Sequence, residues 1–231
     1  KKIMKKIIVT GCSQGIGLFV ANELVKLNYE VYGISRKKPV SEFKFNFIKC
    51  DVSNSETVKE VFSKFRRDLG VYALINVAGV ASMNLLMSTP DNTIKRIIET
   101  NLLGSIYCTK AIIPPMIKSK MGRIINFSSI AVKIGAKGEA TYIASKGGVE
   151  AFSRSIAREL SPANITVNTI SPAFIETRLS STLPATIKKT VIERQIIESE
   201  CSLSDVFDCV KLILSPESKK ITGEIFNIGG V

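Results

Sequence analysis

The sequence predicts a doubly wound α/β fold, a single domain of seven parallel strands flanked by helices. Three observations carry that prediction. Short apolar runs alternate with longer amphipathic segments along the 231 residues. Several runs, such as ALINV at Ala73–Val77 and IINF before Ser128, are apolar but for one asparagine each, the pattern of strands buried on both faces. A glycine-rich turn then follows the first run and opens a helix.

Taken in order, the first strand is expected over Lys6–Thr10 and the first helix over Ile16–Leu27. The second and third strands are expected at Glu30–Ser35 and Phe45–Cys50. Only the stretch Arg36–Lys44, with Pro39 inside it, joins them. A parallel crossover normally takes a dozen or more residues and a helix, so this helix should be missing or reduced to a turn. Beyond it come a helix at Ser55–Phe65, a strand at Ala73–Val77 and one long helix at Thr93–Ile117. A strand at Arg123–Ser128, a helix at Tyr142–Leu160 and a strand at Ile165–Ile170 continue the alternation. Helices at Thr186–Ile197 and Leu203–Leu214 precede a closing strand at Glu224–Ile228. No repeat and no long linker divides residues 1–231.

Composition removes several function classes. A chain 45% hydrophobic and 23% charged is not disordered. Histidine is absent, which removes imidazole acid/base chemistry, Ser-His-Asp triads and the usual zinc sites. Proton transfer must fall to Tyr, Lys, Cys or a carboxylate, and no metal site is expected. The five cysteines form no C-x-x-C pair, which suits reduced thiols in the cytoplasm. The net charge of +12 is spread along the chain without an aromatic-interleaved basic block, so it reads as a solvated surface and not as a nucleic-acid site. It would also attract an anionic or carrier-bound substrate. The start, KKIMKKIIVTG, resembles the basic region of a signal peptide, but its apolar run breaks at Thr10-Gly11, short of the ~7–15 residues a signal core needs. No run approaches the ~18 residues of a membrane span. A soluble cytoplasmic protein with no membrane partner is expected.

The turn reads Thr10-Gly11-Cys12-Ser13-Gln14-Gly15-Ile16-Gly17, with glycines spaced G-x-x-x-G-x-G. Such glycines let the chain turn tightly, approach a pyrophosphate and pack a helix against the sheet, while free N–H groups and the helix dipole attract phosphate. The second strand ends Ser35-Arg36 where an NAD enzyme wants a carboxylate for the ribose hydroxyl. A guanidinium grips a phosphate through paired donors, so NADP(H) is favoured over NAD(H), with Lys37 and Lys38 adding to the field.

Tyr142 and Lys146 lie four positions apart on a predicted helix and so share a face. Ser129 precedes Tyr142 by thirteen residues and Asn101 lies on the preceding long helix. Together with the glycine turn, this set resembles the short-chain dehydrogenase/reductase family, closest in pattern to the 3-oxoacyl-acyl-carrier-protein reductase type, over essentially Lys5 to Gly230. The resemblance implies a Rossmann-like, NAD(P)-binding fold and a catalytic set of Asn101, Ser129, Tyr142 and Lys146. In that set Tyr142 donates the proton, Ser129 stabilises the carbonyl oxygen, and Lys146 lowers the phenol pKa and holds the nicotinamide ribose. Asn101 anchors a water that leads from Lys146 to solvent.

The resemblance also implies cofactor contacts from Gly11, Cys12, Ser13, Gln14, Gly15, Ile16 and Gly17, from Ser35 and Arg36, and from Asp51 and Val52 after the third strand. Asn76, Ala78 and Gly79 follow, in a motif where Val77 replaces the family's second asparagine and puts a sheet-bracing hydrogen bond in question. Pro172, Ile175 and Thr177 complete the set beside Tyr142 and Lys146; Ala173 stands where the family carries glycine. Arg178 to Glu200, polar and with Pro184 inside, would form a substrate flap, and it lacks the arginine-leucine-glycine run of the bacterial enzymes. Family habit implies a homo-oligomer, a tetramer or dimer. The expected activity is NADPH-dependent reduction of a small-molecule or carrier-bound carbonyl, such as a 3-oxoacyl thioester of fatty acid biosynthesis. A sugar, polyol or secondary-metabolite ketone is the alternative, and an NADP(H)-binding sensor or scaffold is the non-enzyme one. Cys12, inside the glycine turn, would expose activity to oxidation.

Overall fold

Successive residues of the first strand point to opposite faces of a sheet, and both faces are apolar. β1 (Lys6–Thr10) sends Ile7 and Val9 to one side and Ile8 to the other, all fully buried. The computed structural model describes residues 4–177 and 185–231. The strands that follow are β2 (Glu30–Ser35), β3 (Asn46–Lys49), β4 (Val71–Asn76), β5 (Gly122–Phe127), β6 (Ile165–Ser171) and β7 (Ile225–Asn227), of which β4, β5 and β6 are buried throughout while the edge strands β3 and β7 are partly open. Among the described residues these form one parallel sheet in the order β3-β2-β1-β4-β5-β6-β7. The doubly wound α/β prediction holds. Strand order reverses between β1 and β4, and the crevice at the carboxyl ends of such a pair is where these sheets take ligands.

Helices cover both faces. α1 (Gly15–Lys26) and α8 (Leu203–Leu214) bury Val20, Leu24, Val206, Phe207 and Val210 against one side. α2 (Ser55–Ser63), α4 (Gly104–Ser119) and α6 (Ala140–Leu160) bury Phe62, Ile112, Met116 and Ile156 against the other. Capping fixes where two of them start. Asn54 accepts from the Thr57 N–H at 2.9 Å to begin α2, and Ser202 with Asp205 forms a capping box on α8. Shorter helices are α3 (Asp91–Ile97), α5 (Ala131–Ile134) and α7 (Ala185–Glu193). Among the described residues no helix is long and apolar enough to cross a membrane.

Several expected boundaries shift. β4 begins at Val71 because Val71 and Tyr72 are as buried as the run that follows. The single helix expected over Thr93–Ile117 is three segments: α3, a π-helical stretch Ile98–Leu103, and α4. The wider turn carries Thr100 and Asn101 inward, where both are buried. The helix expected to reach Ile197 stops at Glu193, because the Ile196 and Ile197 N–H groups donate to the Gly230 and Gly229 carbonyls at 3.2 and 2.9 Å.

The short connection between β2 and β3 holds no helix, as expected. The Asn22 side chain on α1 pins it, donating to the Glu42 carbonyl at 3.3 Å and accepting from the Lys44 N–H at 3.2 Å. Phe45 fills the vacated space: a Cβ on Gly33 would lie 2.3 Å from its ring.

Candidate active site

Two joined cavities open at the carboxyl ends of the strands. The first, about 490 Å³, runs from Arg36 and Asp51 past the glycine turn to Gly79. The second, about 170 Å³, holds Ser129, Tyr142 and Lys146. Ile16, Val77, Gly79, Ala81 and Thr177 line both, so the pair forms one continuous groove.

The glycine turn is built by close approach. A Cβ on Gly11, whose φ is +72°, would lie 2.7 Å from the Ala78 nitrogen, and one on Gly17 would lie 2.4 Å from the Gly11 carbonyl oxygen. Only residues without a side chain allow β1, β4 and α1 to meet this closely. Gly15, whose φ is +56°, is less crowded: a Cβ there would make only ordinary contact with Thr177 at 3.9 Å across the cavity. The first turn of α1 carries no acidic residue, leaving the positive end of the helix dipole aimed at that space. Thr10 ties the two loops together, its Oγ1 accepting from the Val77 and Ala78 N–H groups at 3.1 Å each. The bracing that Val77 put in question is therefore supplied from the neighbouring strand.

Of the expected cofactor contacts, Gly11, Ser13, Gln14, Gly15, Ile16, Gly17, Ser35, Arg36, Asp51, Val52, Ala78 and Gly79 line the larger cavity. Pro172, Ile175 and Thr177 line the smaller one. Two do not reach the groove. Cys12 is fully buried beneath the turn with its sulfur 3.5 Å from Ser35 Oγ, and burial pushes the thiol up to about 11. That correction also removes the basis for oxidation sensitivity there, since the reactive form of a cysteine is the thiolate. Asn76 points into the sheet, donating to Asn126 Oδ1 at 2.9 Å and Thr109 Oγ1 at 3.2 Å, and so braces β4 against β5 and α4. Ser35 lends no free hydroxyl, because its Oγ donates to the Lys37 carbonyl at 2.7 Å. Arg36 is exposed at the rim and has no ion-pair partner among the described residues.

The smaller cavity brings Ser129, Tyr142 and Lys146 together at the end of β5 and the start of α6. Lys146 Nζ donates to the Phe127 carbonyl at 2.8 Å and lies 5.9 Å from the centroid of the Tyr142 ring. Burial lowers the Lys146 ammonium to about 8. Burial also pushes the Tyr142 phenol up to about 12; a hydrogen bond from Ser129 opposes the rise, and the Glu139 charge adds to it. The expected depression of the phenol is thus not seen: loss of solvent around the buried ring dominates its ionisation. Ser128 is held apart by donating to Glu150 Oε1 at 2.6 Å, which leaves Ser129 as the serine beside Tyr142.

Asn101 lines neither cavity. Its Oδ1 accepts from the Val80 N–H at 2.8 Å, and its Nδ2 donates to the Val80 carbonyl at 2.9 Å and to Ser145 Oγ at 3.0 Å. With its amide committed to protein groups, the side chain clamps the loop after Gly79 to α6. Ala173 adopts an ordinary negative φ that alanine tolerates, and its methyl occupies room that Gly229 leaves. Sequence reading missed Arg96 and Thr100 on the larger cavity and Met83, Glu139, Ile187 and Val191 on the smaller. Arg96 falls one helical turn before Thr100, a spacing with no motif attached to it. The flap residues 178–184 lie outside the described residues; of the rest of that stretch, Ile187 and Val191 of α7 face the smaller cavity.

A family model described as short chain dehydrogenase matches residues 5–188. The chain belongs to the short-chain dehydrogenase family. It is an NAD(P)-dependent oxidoreductase acting on CH–OH and C=O groups, and its groove suits a dinucleotide: bare glycines at the turn, a helix start facing them, and small Ala78 and Gly79 opposite. Among relatives in this family, the 3-oxoacyl-[acyl-carrier-protein] reductase FabG of Staphylococcus epidermidis is 32% identical over 98% of both chains. Among solved structures, the aldohexose dehydrogenase of Thermoplasma acidophilum is 30% identical with a TM-score of 0.88, covering 98% of this chain and 93% of its own. ElxO with NADP bound is 26% identical with a TM-score of 0.88, covering 97% of each chain.

Proposed function

We propose that this oxidoreductase uses NADPH to reduce a carbonyl to a secondary alcohol in the smaller cavity. The carrying observation is the convergence there of Ser129, Tyr142 and Lys146 beside the shared Gly79 and Thr177 wall. When bound, the reduced nicotinamide supplies the hydride. Pro172, Ile175 and Thr177 would hold its carboxamide, and Lys146 its ribose. Tyr142, a neutral phenol at physiological pH, donates its proton to the carbonyl oxygen as charge develops. Ser129 hydrogen-bonds the same oxygen and stabilises that charge. Lys146, with its ammonium near 8, stands ready to favour the phenolate that results. Asn101 positions the loop at Val80 against α6 and so fixes Gly79 between itself and the lysine; a Cβ on Gly79 would lie 3.4 Å from Asn101 Oδ1 and 3.5 Å from Lys146 Nζ.

Arg36 supports NADP(H) over NAD(H), being an uncommitted guanidinium where no carboxylate stands to repel a 2′-phosphate. The FabG relatives support a 3-oxoacyl thioester as substrate, carried to an enzyme in the cytoplasm, a reducing compartment that suits five unpaired cysteines. A hydroxylated or sugar-like substrate is the second reading, favoured by the aldohexose dehydrogenase likeness and by Glu139 in the cavity wall. Assembly as a dimer or tetramer belongs to the same proposal.

The test is Tyr142→Phe assayed with NADPH on acetoacetyl thioester and on simple ketones. Turnover should fall by about a hundred- to ten-thousand-fold while NADPH still binds. Undiminished turnover in that variant would refute the proposal.

A further inference from the structure

Glu139 is the one acidic residue that lines the smaller cavity among the described residues. Met83, Ile130, Ala131, Ile134 and Ala136 line the same cavity without a donor side chain, and Glu139 makes no side-chain hydrogen bond to the Ser129, Tyr142 and Lys146 donors that share it. It precedes α6 at the N-cap position, yet its side chain makes no capping hydrogen bond. It forms no ion pair among the described residues, although exposed Lys133 and Lys137 lie within six positions of it. Its carboxyl is held above its ordinary range by burial alone. A carboxylate half removed from water without a donor is costly, and neither packing nor capping explains this one. It lies three positions before Tyr142, so the two share a face of the helix start, and its charge is felt at the phenol.

We infer that Glu139 determines specificity by accepting a hydrogen bond from a hydroxyl on the carbon next to, or one beyond, the reacting carbonyl. A hydroxyl fits better than an ammonium, because the buried Lys146 cation lines the same cavity and the chain carries a net charge of +12. An all-carbon chain in the same place would lie against the carboxylate without satisfying it. This deepens the second reading above and rests on the proposal that the cavity reduces carbonyls.

Hydroxyacetone and butanone differ only by a hydroxyl in place of a methyl, so their ratio of kcat/KM with NADPH isolates the contact. Wild type should favour hydroxyacetone by about tenfold or more. Glu139→Leu should level or reverse that ratio, and Glu139→Gln, which keeps an acceptor and the shape, should retain part of it. An unchanged ratio in Glu139→Leu overturns the inference. A second arm needs no turnover: thermal protection of the NADP-loaded protein by propylene glycol against secondary butanol. Wild type should be protected more by the diol, and Glu139→Leu equally by both; equal protection of wild type also overturns it. If neither these ketones nor acetoacetyl thioester is reduced, the carbonyl-reductase proposal fails while the protection arm still decides the role of Glu139.

Discussion

At the level of single residues, the ionisation of Lys146 sets a pH expectation. Its ammonium is lowered to about 8 by burial, so above that pH the site loses the cation that favours the phenolate of Tyr142. The kcat/KM for reduction should therefore fall on an alkaline limb near pH 8, and a profile flat to pH 10 would contradict this account. Arg36→Ala should weaken NADPH binding by about 1.5–3 kcal/mol, the worth of a charge-assisted hydrogen bond, and leave NADH binding unmoved. Fluorescence titration of both nucleotides reads the difference. Tyr142 and Lys146 were legible as a pair one helical turn apart, and Ser129 through the family resemblance that their context carries. Cys12 and Asn76 misled for one reason: a motif locates a backbone, and these two side chains turn from the groove into the interior. Glu139 went unseen because nothing in a linear spacing tells a cap from a cavity wall.

At the level of elements, the glycine turn tolerates no addition. In Gly17→Ala the new methyl would press on the Gly11 carbonyl at 2.4 Å. The variant should lose about 1–3 kcal/mol of stability in denaturant unfolding, together with its dinucleotide affinity. The missing crossover helix between β2 and β3 was legible from length alone, whereas the plugging of its place by Phe45 over Gly33 was not, since that contact joins the residue before β3 to the middle of β2. The π-helical stretch Ile98–Leu103 was equally hidden. Its local sequence is ordinary helix-forming material, and the wider turn is sustained by Asn101 bonding to Val80 and Ser145, contacts that exist only once the chain is folded. Asn101→Ala should therefore reduce kcat more than it raises the KM for NADPH, as steady-state kinetics would resolve, because the clamped loop positions reacting groups.

For the molecule as a whole, burying Lys146 carries a stability signature. Its folded value near 8 lies below the ordinary 10.5, so between those limits the unfolded chain binds more protons and stability rises with pH. The melting temperature of wild type relative to Lys146→Met should climb across that window; a constant difference would show that the ammonium is not buried. β7 closes the sheet as a short edge strand with Ile225 and Phe226 half-buried, an edge that a second copy could cover. Light scattering should accordingly give a multiple of 25.2 kDa, and a lone 25.2 kDa species would remove the proposed assembly.

Four of the five thiols lie in the interior, and Cys12 lies directly under the glycine turn that lines the larger cavity. A slow alkylating reagent can reach that sulfur only when the loop lifts. The pace of its labelling, with and without nucleotide, is thus a clock on how often the binding crevice breathes.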